Sequence, residues 1–169
     1  MSRMSLGVDK ELRMRTTIRV VALVFLVAPV VAQDHPDFRL WKADELTRRD
    51  AALSKNVVPD HSSRETLADF GDHRVRFLYR DADGFPEQHD NIVDLVLVKS
   101  GEGVLQLGGT VIDKKATGSP GEFVGSRLEG GSRHPLAAGD VIHIPAAVPH
   151  AFLVRKGTHL TYVLVKFPK

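Results

Sequence analysis

Apolar positions fall into three regimes along the chain. From Val20 to Ala32, thirteen residues run without a charge, interrupted only by Pro29. From Ala43 to Leu53 apolar residues are sparse. Leu46 and Leu53 stand seven apart with charges between them, which predicts a short helix that Pro59 bars from continuing. Beyond residue 64, short β-rich runs alternate with clusters of Gly, Pro, Asp and Ser. The runs are Thr66–Phe70, Val75–Tyr79, Asp94–Lys99, Val104–Leu107, Val141–Ile144, Ala151–Val154 and Leu160–Phe167. No helical stretch lies between them, so the pattern predicts an antiparallel sandwich or barrel. Residues 113–121 are polar and contain Gly and Pro, and they predict a mobile loop.

The first apolar run has the flanks of an address label. Arg13, Arg15 and Arg19 precede it, and Val30 and Ala32 put small residues at the two positions a signal peptidase inspects. Thirteen residues fall short of the roughly 20 that span a bilayer. The expectation is a secretory signal peptide over residues 1–32, cleaved before Gln33, leaving no stable membrane anchor and an exported protein, periplasmic or extracellular. The mature chain then divides into an N-terminal arm with a short helix over 33–63 and a β domain over 64–169.

Composition changes this picture in two places. The chain of 169 residues has no cysteine, which excludes a disulfide scaffold, a thiolate zinc site, an iron–sulfur centre and a catalytic thiol. Its net charge of +2 and pI near 9.0 suggest an anionic partner. The leader, however, holds five of the 23 Lys and Arg and two of the 21 Asp and Glu, leaving 18 bases against 19 acids in the mature part. With aromatics at 7% and basic residues scattered, no nucleic acid is expected as a partner. Neither a nucleotide-binding glycine loop nor a nucleophile elbow is present.

Two segments carry candidate chemistry: PEQHDNIVDLVLVKSGEG from Pro86 to Gly103, and GDVIHIPAAVPHAFLV from Gly139 to Val154. Glu87 and His89 are two apart and share one face of a strand. Asp94 opens the next β run, and His150 follows a Pro145-to-Pro149 bend that re-aims the chain. Two imidazoles and two carboxylates gathered in a barrel interior are costly unless they share a cation or are otherwise paired.

The second segment, with Gly139-Asp140, Pro145 and His150, resembles the closing motif of the cupin family, with Ala147 standing where that family usually has glycine. Asp94, six residues and Gly101 resemble the end of its first motif, with Asp for Glu. Counting back puts His89 at the second histidine and Glu87 at the first. Reading His89 as the first histidine leaves only two residues between Asn91 and Asp94, too short a gap. The resemblance covers roughly residues 64–167. It implies an all-β fold, a double-stranded β-helix or jelly-roll cupin barrel with a short N-terminal helical arm. It also implies metal ligands at Glu87, His89, Asp94 and His150, and by analogy a homodimer. Two histidines with two carboxylates favour Mn²⁺, Fe²⁺ or Zn²⁺ over copper.

The expectation is therefore an exported cupin that binds one divalent metal and a small-molecule ligand or substrate. Dioxygenase, isomerase and lyase chemistry are all compatible, with Glu87 or Asp94 as proton shuttle. The rival is a non-catalytic module that binds a carbohydrate or small carboxylate, with Glu87 at the rim and His89 a hydrogen-bonded pocket residue. Among the remaining histidines, His35, His61, His73 and His134 read as solvated. His143 reads as either pocket or outer surface. Tyr162 and Lys166 share one parity on the last strand, so both could face a ligand, or form a packed aromatic with a snorkelling lysine.

Overall fold

A computed structural model describes residues 33–169; the leader expected over 1–32 lies outside the described residues. Asp37–Lys169 form one compact unit, which is the part described below.

Helix α1 spans Ala43–Leu53, the stretch with helix-forming composition. Asp44 and Glu45 sit in its first turn, where acids suit the helix dipole, and each pairs with an arginine four residues on: Asp44 with Arg48 and Glu45 with Arg49, both at 2.8 Å. It stops well before Pro59, because the Asn56 side-chain amide donates to the Ala52 carbonyl and closes the last turn. Asp50 ties the helix to the sheet by accepting hydrogen bonds from Ser100 Oγ at 2.6 Å and Thr161 Oγ1 at 2.8 Å.

Twelve strands follow: β1 (Ser62–Asp69), β2 (Arg74–Arg80), β3 (Glu87–His89), β4 (Ile92–Leu107), β5 (Thr110–Ile112), β6 (Lys115–Ala116), β7 (Glu122–Val124), β8 (Arg127–Glu129), β9 (Ser132–Ala137), β10 (Val141–Ile144), β11 (His150–Leu153) and β12 (Leu160–Pro168). They pair antiparallel in the order β1-β2-β12-β4-β11-β3-β7-β6. Strand β4 belongs to both walls of the resulting all-β jelly-roll barrel. Its first half pairs with β12 and β10, and its second half with β11 and β9. Strands β5 and β8 form a separate ribbon.

The turn within β4 has a local cause. The register against β12 skips Lys99, so Tyr162 faces Val98 and Thr161 faces Ser100. Such a bulge reverses the inward parity. Asp94, Val96 and Val98 are buried before it, and Leu105 after it. Gly101 then has φ +78°, and a Cβ there would lie 2.0 Å from the His159 carbonyl oxygen, so only glycine lets the strands approach this closely. The interior holds Leu78, Val96, Val98, Leu105, Ile144, Phe152, Leu160, Tyr162 and Leu164. Burying each such side chain stabilises by about 1.5–3 kcal/mol before its entropy cost.

The segment expected as a mobile loop over 113–121 is partly structured: Lys115–Ala116 pairs with Val124 and Phe123 of β7. Two-residue strands leave no periodicity, which is why turn composition dominated the expectation.

Candidate metal centre

Three cross-strand pairs build one site at an end of the barrel. Lys166 on β12 lies opposite Asp94 on β4, His150 on β11 opposite Glu87 on β3, and His89 on β3 opposite Glu122 on β7. Inward parity on each strand aims these side chains at a common point. The bend before β11 carries Ala147 at φ +64°, and its N–H donates to the His89 carbonyl at 2.7 Å, which pins the loop to β3.

Glu87, His89 and His150 each present one ligand-type atom, all within 4.8 Å of one another. His89 Nε2 is 3.4 Å from Glu87 Oε2 and 3.5 Å from Asp94 Oδ2, and His150 Nε2 is 3.6 Å from Asp94 Oδ2. Asp94 is 2% exposed, whereas the Glu87 side chain is 33% exposed.

Both imidazoles are oriented from behind. His150 Nδ1 donates to the Val148 carbonyl at 3.1 Å, since a carbonyl can only accept. In the neutral ring Nε2 then carries the lone pair, and that atom is buried with no hydrogen-bond partner among the described residues. His89 Nδ1 donates to the Glu122 carboxylate at 2.5 Å, which directs its own Nε2 lone pair toward the cluster. A histidine whose far nitrogen is held by a carboxylate or carbonyl is the arrangement metal ligands use. The orphaned His150 Nε2 and the nitrogen–oxygen donor set fit a divalent ion.

Without a metal the imidazoles can instead take up protons, and their positive charge then sets the carboxyl values. Burial pushes the Glu87 carboxyl up, but the His89 contact and the nearby Lys166 and His150 outweigh it and hold it at about 2. Burial likewise raises Asp94, and its contacts with His150, Lys166 and His89 reverse the sign, so it lies below the ordinary carboxylate range. For His89 burial lowers the value, and Glu87 and Asp94 overcome this and raise it.

Lys166 joins the cluster from β12. Its ammonium donates to His89 Nε2 at 2.8 Å and lies 3.0 Å from Asp94 Oδ1. Of the two readings of the last strand, Lys166 thus reaches the site. Tyr162 is a packed aromatic, 1% exposed, stacked on Phe152 at 4.8 Å, with its hydroxyl accepting from Arg80 Nε. His143 is exposed on β10 and faces outward. His61, His73 and His134 pair locally with Asp81, Asp72 and Ser132. No sequence motif marks Glu122, which follows a Gly/Pro-containing stretch and opens a three-residue strand.

No family model matches the chain, and no curated protein matches it. Several solved structures are similar to it. KdgF from Halomonas sp. is 20% identical over 67% of this chain and 84% of its own, with a TM-score of 0.47. A sugar phosphate isomerase from a cupin superfamily, from Silicibacter pomeroyi, is 19% identical over 65% and 61%, with a TM-score of 0.46. Streptomyces PAC13 with uridine is 13% identical over 66% and 72%, with a TM-score of 0.47. The likeness is one of chain course; the chemistry is read from this chain's own side chains.

Proposed function

We propose that the chain binds one divalent metal ion through Glu87, His89 and His150, with Asp94 beside them as fourth ligand or counter-charge, and acts on a small molecule there. The observation that carries this reading is the pair of oriented imidazoles, above all the buried His150 Nε2 without a hydrogen-bond partner. Mn²⁺, Fe²⁺ or Zn²⁺ suits the donors and would act as a Lewis acid on a bound carbonyl or hydroxyl. Glu87, ionised and partly open to solvent, is placed to take a proton from a ligand. Asp94, enclosed and paired with Lys166, is placed to hold charge. Isomerase, lyase and dioxygenase chemistry all fit this set.

Metal analysis of untagged protein tests the reading. The expected result is one ion per chain, lost in His89→Ala and His150→Ala. Substoichiometric metal that is unchanged in both variants overturns it.

One observation favours a second reading, a non-catalytic binding module. Lys166 already occupies the His89 lone pair, so the ammonium can serve as the cation of a metal-free pocket. Chelator-treated protein that keeps its full thermal stability and its ligand would select this reading.

Export is proposed on the leader pattern alone, and intact mass of the secreted protein starting at Gln33 checks it. The division into an arm over 33–63 and a barrel over 64–169 is part of the same proposal. A homodimer is also proposed: Leu97 on β4 and Val141 on β10 are cross-strand partners, 39% and 65% exposed, and form an apolar pair on an outer wall. A monomer mass by light scattering would reject it.

A further inference from the structure

A pocket of about 400 Å³ adjoins the cluster, with Arg76, Lys166 and Glu122 in its lining. The acids of that lining are already engaged: Asp69 with Arg74, Asp72 with His73, and Glu122 with His89. Arg76 is different. Its side chain comes from β2, where the register places it directly opposite Leu164, the neighbour of Lys166 on the same face of β12. Its Nε is buried and has no hydrogen-bond partner among the described residues. A buried guanidinium N–H left without an acceptor is costly, and because Arg76 lines the pocket, a bound oxyanion that offsets its charge would relieve part of that cost. Burial, reinforced by Arg74 and Arg64, also presses against the Arg76 charge, while Glu87 and Glu122 support it.

We propose that this pocket is a carboxylate-binding subsite, with Arg76 as the anchor for a small acid and Lys166 joining it once the neighbouring cluster holds a metal. The proposal rests on the metal reading above. The second half follows from counting lone pairs: His89 Nε2 has one, Lys166 holds it now, and a metal ligand must have it free.

Charge decides for carboxylate over phosphate. With Asp69 and Arg74 cancelling, Glu87, Asp94, Glu122 and Asp72 carry four negative charges against the two positive charges of Arg76 and Lys166, leaving two negative charges. A divalent ion brings that to zero, so a carboxylate adds one negative charge where a phosphate dianion adds two. A phosphate dianion would restore an excess of negative charge in a pocket walled by carboxylates, where like charges are costly. The planar guanidinium fork also matches a carboxylate in two parallel hydrogen bonds.

Calorimetric titration of the zinc-loaded full chain with glycolate, its neutral isostere glycolamide, and inorganic phosphate tests the proposal. Zinc binding is first measured separately with a competing chelator. Glycolate should bind, glycolamide at least about tenfold more weakly, and Arg76→Met should weaken glycolate about tenfold or more, as expected for a charge-assisted pair. Arg76→Lys should recover part of the affinity, because charge returns without the fork. Arg48→Met, whose guanidinium pairs with Asp44 on helix α1 and does not line this pocket, should keep glycolate affinity within about twofold. Glycolamide binding as well as glycolate, Arg76→Met binding like the parent, or phosphate binding more tightly than glycolate would each overturn the subsite. Failure of zinc to bind at all would instead overturn the metal reading, so the two failures are distinct.

Discussion

Replacing Lys166 with methionine should move two measurable quantities in opposite directions. The ammonium is 15% exposed and lies 3.0 Å from the carboxylate of Asp94, which is 2% exposed. Removing one partner of a buried pair leaves the other charge without compensation and typically costs about 3–5 kcal/mol. Because Lys166 keeps some contact with solvent and His89 and His150 also face Asp94, the lower end, about 3 kcal/mol, is expected. For a chain of this size that lowers Tm by roughly 6–12 °C without metal. Metal affinity should rise in the same variant. In the parent an incoming ion must displace a charge-assisted hydrogen bond to His89 Nε2 of about 1.5–3 kcal/mol, so its removal tightens binding by roughly tenfold to hundredfold. The assays are thermal unfolding in chelator and competition titration with a chromophoric zinc chelator. In excess zinc the variant should regain most of the lost Tm, since ligand at about 100 times its Kd adds about 2.7 kcal/mol. Unchanged stability in chelator, or zinc affinity equal to or weaker than the parent's, would refute the competition between Lys166 and metal.

Glu122→Ala should weaken zinc binding about 10- to 100-fold by freeing the His89 ring, while Glu122→Gln, which still accepts from Nδ1, should lose less; equal affinity in all three proteins by chelator competition would remove Glu122 from the site. Metal affinity should fall as pH drops, beginning above the ordinary histidine range, because the raised His89 value lets protons compete early for Nε2, whereas Glu87 at about 2 stays ionised; the affinity measured across pH checks the sign. Ala147→Gly should raise Tm by up to about 2–4 °C, since an L-residue at φ +64° carries about 1–2 kcal/mol of strain, partly offset by glycine's extra unfolded-state freedom; a lower Tm on thermal unfolding would show that the bend is not strained.

Residues adjacent in sequence to a motif were legible, and residues brought in by register were not. Alternation and turn chemistry exposed the barrel strands of useful length, and the two-residue spacing of Glu87 and His89 put both on one inward face. Parity could not decide His143, because alternation states only that it opposes Ile144; the burial of Ile144 at 1% exposed sends His143 outward. Parity likewise left Tyr162 and Lys166 equivalent. What separates them is the pairing of β12 with β4, which sets Tyr162 opposite Val98 and Lys166 opposite Asp94. That register also crosses the Lys99 bulge, which no local pattern announces.

Glu122 shows the same limit more sharply. Its partner His89 is 33 residues away, and the two meet because a pair of three-residue strands aligns them. Such strands are too short for period-two alternation to register, so turn composition governs the local reading and the carboxylate looks like loop. Yet this carboxylate decides which imidazole nitrogen faces the cluster. A metal site read from motif residues alone therefore names the atoms that would bind and misses those that orient them and those that compete. Here the competitor, Lys166, and the orienting group, Glu122, act on the same imidazole from opposite sides. The state of His89, bound to ammonium or free to take a metal, is the variable on which both proposed readings of this protein turn.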